Sequence, residues 1–252
     1  VQSAIAAGYA VLYVDRIGVG GSDRPPAQLV TADTEAYVAH QLVSRLRADR
    51  YRTVVAVGHS YGSLIWAAAA YHYDDVDALV LTGYLHATDV PTQLMIRDHL
   101  RPAPGAPEGY LTQAANFRRR AYLHPPGLVD GMADADERLR TTGTTGELMS
   151  LKKLADPTYT SRVRRPVLLQ LGASDLLFCN AANGLSCAEP ADLCAREKAL
   201  YPQAALSATV VRDAGHSIQL HRSAVRASET ALDWIDHTLG RGPYPRAVLD
   251  CR

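Results

Sequence analysis

The stretch Thr53 to Tyr73, TVVAVGHSYGSLIWAAAAYHY, limits the possible folds most. It opens with apolar, β-branched residues, Val54, Val55 and Val57, as a buried strand does. It breaks at Gly58-His59-Ser60-Tyr61-Gly62 and resumes as an Ala-rich run of high helix propensity, Leu64 to Tyr71. A strand, a turn with Gly on each side of a Ser, and a helix spell a nucleophile elbow. Such a turn is expected to strain the backbone of Ser60. Side chains two residues to either side are expected to collide, so both glycines are read as steric requirements. The hydroxyl then stands above the sheet, near the positive end of a helix. The plainer alternative is a strand-to-helix turn with Ser60 as N-cap. His59 is not expected to act as a base, because successive side chains at such a turn point apart.

A length of 252 residues suits one large domain, or a core with a lid. Lys+Arg and Asp+Glu both number 26, and this balance argues against a nucleic acid or an anionic membrane surface as partner. No run reaches the roughly 18 apolar residues of a membrane span, and no signal or transit segment opens the chain. Cys179, Cys187 and Cys194 cluster, and Cys251 stands one residue from the end. None is spaced Cys-x-x-Cys, which argues against zinc. Clustering and an even count indicate disulfides and an oxidising compartment, with three pairings open and unpaired thiols as the alternative.

In chain order, Val1 to Ala7 reads as the end of a helix stopped by Gly8. Tyr9 to Val14, YAVLYV, is apolar without alternation and reads as a parallel strand covered on both faces. The glycines at 18, 20 and 21 do not form a dinucleotide loop, because Pro25-Pro26 follow where a helix should begin. Thr34 to Arg50 reads as a helix with Val38, Leu42 and Leu46 facing inward. Ala78 to Leu81 is a short buried strand. From Tyr84 to about residue 165 prolines are frequent and periodicity is weak, as in an inserted, partly helical lid. The run Arg118-Arg119-Arg120 reads there as a solvated helix face. Pro166 to Leu171 and Ala208 to Val211 restore the strand pattern, with helices expected over Ala191 to Leu200 and Ser223 to Leu239. The tail after Gly240 is expected to be irregular and tied down through Cys251. Strands alternating with helices imply a mainly parallel sheet with helices on both faces, an α/β class.

Ser60, Asp175 and His216 each follow a predicted parallel strand, so one sheet edge can gather all three. A serine hydroxyl is a poor nucleophile until a base takes its proton. His216 can take it near neutral pH, and Asp175 can fix the tautomer of His216. Asp213, three residues before His216, is the rival acid, and Asp89 is a more distant one.

The order Ser60, Asp175, His216 resembles that of the α/β-hydrolase family. Asp15-Arg16-Ile17-Gly18-Val19-Gly20-Gly21-Ser22 is similar to the loop after the family's fourth strand. The elbow, Leu81-Thr82-Gly83 and the cysteines near Asp175 look most like secreted fungal members. The resemblance spans Val1 to about Leu239, with core 1–85 and 166–252 and lid 86–165. It implies hydrolysis of an ester, thioester, lactone or amide through an acyl-enzyme, with no cofactor and no metal. It also leaves open a non-catalytic ligand-binding relative or an acyltransferase. The Tyr61 N–H would be one oxyanion donor. The family's other donor follows a His-Gly pair, and this sequence has none. Tyr9 to Val14 resembles the fourth of eight family strands. The first three are therefore expected to be missing. Either the chain is a fragment, or Tyr9 to Val14 pairs directly with the elbow strand.

Overall fold

The computed structural model describes residues 1–153 and 155–252. Its elements are helix α1 (Gln2–Ala6), helix α2 (Ala32–Ala48), strand β1 (Val55–His59), helix α3 (Tyr61–His72), strand β2 (Ala78–Thr82), helix α4 (Val90–Asp98), strands β3 (Leu100–Pro102) and β4 (Tyr110–Gln113), helices α5 (Phe117–Ala121) and α6 (Met132–Arg138), strand β5 (Gly143–Thr144), helix α7 (Thr145–Ser150), strand β6 (Val167–Gly172), helix α8 (Pro190–Glu197), strand β7 (Leu206–Val211), helix α9 (Ala224–Thr238) and strand β8 (Leu249–Asp250).

The main sheet has the order β1-β2-β6-β7-β8. The first four strands are parallel, and β8 joins β7 antiparallel. Apolar side chains leave these strands on alternate faces. Leu79, Leu81, Val167, Leu169 and Leu171 enter the larger core with α2, α3 and α8. Ala78, Val80 and Leu168 pack on the opposite face against Trp234 and Ile235 of α9. Helices therefore cover both faces. In α2 the apolar residues that bury are Ala32, Ala36, Ala39 and Val43, with Glu35 beside them, while Val38, Leu42 and Leu46 are half-buried. The sequence stripe ran along the edge of the buried face because small alanines, not the larger residues, fit against α3.

Tyr9 to Val14 is not a strand. It has no ladder partner, and Leu12 and Tyr13 are 54% and 82% exposed. β1 pairs only with β2 among the described residues, so Tyr9 to Val14 has not moved in beside it. Val57 in mid-β1 is 62% exposed, against the expectation of a buried strand. A strand is defined by hydrogen bonds to a neighbour, and apolar composition cannot supply one.

Between β2 and β6 lie short helices and a second sheet, β3-β4-β5, antiparallel throughout. Its strands of two to four residues are too short to print an alternating pattern. The tail is also ordered: β8 pairs with β7, and Cys251 is bonded to Cys194. The second disulfide joins Cys179 to Cys187.

Candidate active site

The elbow is built by backbone. Ser60 has φ 53° and ψ −120°, a conformation in which a side chain is strained. It is held there by its N–H, which donates to the Thr82 carbonyl at 2.8 Å. The Ser63 hydroxyl donates to the same carbonyl at 3.0 Å. Gly58 is a steric requirement: a Cβ there would lie 2.7 Å from the carbonyl oxygen of Gly62 and the backbone of Ser63. Gly62 is not, since a Cβ there meets nothing within 4 Å. The expectation of two obligatory glycines is corrected to one, because position 62 opens into the cavity over the site. Ser60 precedes α3 without a side-chain cap hydrogen bond, so its hydroxyl is not used as an N-cap.

That hydroxyl lies 2.9 Å from Nε2 of His216. Nδ1 of His216 lies 2.8 Å from Oδ2 of Asp175. The other carboxylate oxygen of Asp175 accepts the Leu177 N–H at 2.9 Å. Asp175 is 0% exposed and His216 2%. The structure thus brings together the three residues picked from the sequence. Of the rival acids, Asp213 is exposed on a left-handed turn. Asp89 caps α4, accepting the Thr92 N–H at 2.7 Å and a Asn180 side-chain N–H at 3.0 Å. Tyr61 begins α3, where the first backbone N–H groups have no intrahelical acceptor.

The sequence assigns His59 no role as a base, and no other role. Its ring centroid lies 4.9 Å from that of His216, and both rings line the same cavity. The Thr82 hydroxyl donates to the Gly58 carbonyl at 3.0 Å, so its oxygen accepts from Nδ1–H of His59 at 2.9 Å. That chain fixes the tautomer. Burial, then the nearby His216 and Arg118, push the pKa of His59 down to about 3, so it stays neutral. Gly83, with φ +57°, lies under both imidazoles; a Cβ would come within 2.8 Å of His59 and 3.1 Å of His216. Tyr122 and Phe178 complete the surround of His216, at 5.0 and 6.0 Å between centroids. No periodicity flags these residues, since each acts through a contact made across the fold.

The cavity holds about 460 Å³. Its walls are largely apolar, including Ile96, Leu100, Leu111 and Leu148 from the segment between β2 and β6. Arg118 stands in this wall, half-buried, in a two-pronged ion pair with Asp136 at 2.6 and 2.7 Å and over the Tyr122 ring. The arginine run is therefore not all solvated face. Arg119 and Arg120 fit that description, and Arg118 does not. Among the described residues no group of three or more His, Cys, Asp or Glu is arranged to hold a metal ion.

The model of the alpha/beta hydrolase family matches residues 1–228, and the chain belongs to that family. Solved structures agree on the fold. A methylesterase from Arabidopsis has 17% identity and a TM-score of 0.63, over 94% of this chain and 91% of that one. A monoacylglycerol lipase from Paleococcus ferrophilus has 14% identity and a TM-score of 0.57, over 86% and 79%. A thermophilic esterase from Thermogutta terrifontis has 17% identity and a TM-score of 0.54, over 88% and 78%. No curated protein sequence matches the chain. Membership of the family supports hydrolytic activity on a small molecule. No helix among the described residues is long and apolar enough to cross a membrane.

Proposed function

We propose that the chain is a serine hydrolase that cleaves an ester, thioester, lactone or amide of a small to medium substrate through an acyl-enzyme. The observation that carries this reading is the unbroken line from the Ser60 hydroxyl to Nε2 of His216 at 2.9 Å, and from Nδ1 to Asp175 at 2.8 Å. Ser60 donates its proton to Nε2 as its oxygen attacks the carbonyl carbon. Asp175 accepts the Nδ1–H, which keeps the lone pair on Nε2 and steadies the imidazolium that forms. The proton passes to the leaving group as the acyl-enzyme forms. Water then repeats the sequence on the acyl-enzyme, with His216 again as base. The Tyr61 N–H, at the positive end of α3, is the oxyanion donor in this reading. Residues 86–165 serve as the lid that walls the cavity, over a core of 1–85 and 166–252. The chemistry uses no metal or cofactor. The two disulfides support an extracellular protein.

The test is labelling by a fluorophosphonate, which reacts only with an activated serine. The folded chain is expected to label, and Ser60→Ala to abolish the label. A folded wild-type chain that stays unlabelled would remove the hydrolase reading and favour a ligand-binding relative.

A further inference from the structure

The cavity over Ser60 is lined by two arginines that the proposed chemistry does not use: Arg118, already held by Asp136, and Arg16. Nη1 of Arg16 donates to Glu35 at 3.1 Å and to Glu147. Both hydrogens on that nitrogen are thereby engaged. Nη2 and Nε have no hydrogen-bond partner among the described residues. The Arg16 side chain keeps 32% of its surface open, whereas the side chains of Glu35 and Glu147 keep 2% and 7%. The two carboxylates are therefore more deeply buried than the arginine side chain they hold. Arg16 lines the same cavity as Ser60 and His216, and its guanidinium carbon is 5.4 Å from the Tyr61 ring centroid.

This arrangement is costly to the fold. Each carboxylate keeps one buried oxygen, Oε2, with no hydrogen-bond partner. Buried ion clusters are commonly replaced by apolar side chains without loss of stability. What the two carboxylates do achieve is to fix one guanidinium through a single nitrogen, in a side chain that lines the cavity, leaving three N–H groups free to donate.

We propose that Arg16 forms a polar subsite that recognises a second acceptor oxygen, a keto or alkoxy oxygen, in the acyl part of a neutral substrate. The proposal rests on the hydrolase reading for the word acyl, but the subsite itself does not. The occupant is an acceptor because only donors are presented. It is neutral because Glu147 already offsets the charge of Arg16, and a substrate carboxylate would meet Glu147 on the same wall. The rest of that wall is mostly apolar, which suits the chain joining the two oxygens.

The experiment compares p-nitrophenyl hexanoate, p-nitrophenyl 5-oxohexanoate and the mono-p-nitrophenyl ester of glutaric acid on the full chain. A hydrogen bond to a charged donor corresponds to about 10–100-fold. The expected result is at least about tenfold higher kcat/KM for the oxo ester than for the plain one, with the acid ester poorest. Arg16→Met should bring the ratio of oxo to plain ester close to one, and Glu147→Gln should lower it. The same two uncharged esters are then titrated into Ser60→Ala as intact ligands, where the oxo ester should bind tighter and Arg16→Met should erase the difference. Equal treatment of the two esters by the wild type, or a ratio that survives Arg16→Met, overturns the subsite. Absence of turnover with the binding preference intact would defeat the hydrolase reading and leave the subsite standing.

Discussion

At the scale of single residues, the elbow makes an asymmetric demand on its glycines. Gly58→Ala drives a methyl group into fixed backbone and should destabilise the protein by about 1–3 kcal/mol. Gly62→Ala adds a methyl group to open space near the start of a helix and should change stability by less than about 1 kcal/mol. Denaturant titrations of both variants check this, and equal losses would contradict the steric account. Asp175→Asn keeps the size of the side chain but favours the wrong tautomer of His216. Its expected cost is about 10⁴ in kcat with little change in KM, read from steady-state kinetics of ester hydrolysis. The three polar residues of the site were legible in the sequence because each must follow a parallel strand, and strand ends can be located from apolar runs. His59, Gly83 and Arg16 were not, because their roles depend on which side chain from elsewhere comes to lie against them.

At the scale of elements, the two disulfides do different work. Cys194–Cys251 spans 57 residues and fastens the tail to α8, whereas Cys179–Cys187 spans 8. Chain entropy alone assigns about 4 kcal/mol to the longer closure and about 2.6 to the shorter. The shorter loop follows Asp175, however. Its Cys179 N–H donates to the Asp175 carbonyl at 2.7 Å, and it carries Phe178 to the His216 ring. Replacing Cys194 and Cys251 by Ala should therefore cost more stability, and replacing Cys179 and Cys187 more activity. Paired melts and rates on the two double variants check this ordering. A second brace joins the loop after β2 to α8. Nδ1 of His86 lies 2.6 Å from Glu197, and Nε2 lies 2.8 Å from the Thr160 hydroxyl, all three buried. It fastens both ends of the segment between β2 and β6 to the core.

At the scale of the whole molecule, two buried groups pull stability in opposite directions with pH. His59 is held neutral down to about pH 3, so between about 3 and 6.5 the unfolded chain binds more protons and stability falls on acidification. Glu35 is raised by burial to about 7, with Arg16 opposing. The folded chain therefore binds more protons between about 4.5 and 7, and stability falls as pH rises through that window. Each contributes a slope approaching about 1.4 kcal/mol per pH unit, and between 4.5 and 6.5 the two slopes offset. Glu35→Gln should expose the His59 slope, so that the variant gains stability steadily from pH 4.5 to 6.5 relative to wild type. Denaturant midpoints measured across that range test the sign, and parallel curves for the two proteins would refute it.

By itself the sequence determined the core helices α2, α3, α8 and α9, the four parallel strands, the elbow and the identity of the three polar residues at its rim. Helical hydrogen bonds close within four residues, and a strand buried on both faces leaves an apolar run, so both are written locally. Tertiary structure decided what needs a second party. Tyr9 to Val14 has the composition of a strand and no neighbour to pair with. The short strands of the second sheet exist only because they meet. The two cysteine pairs were chosen among three possibilities by which helix and tail lie together. The guanidinium of Arg16 acquired its anchor only when two carboxylates distant in sequence closed on it.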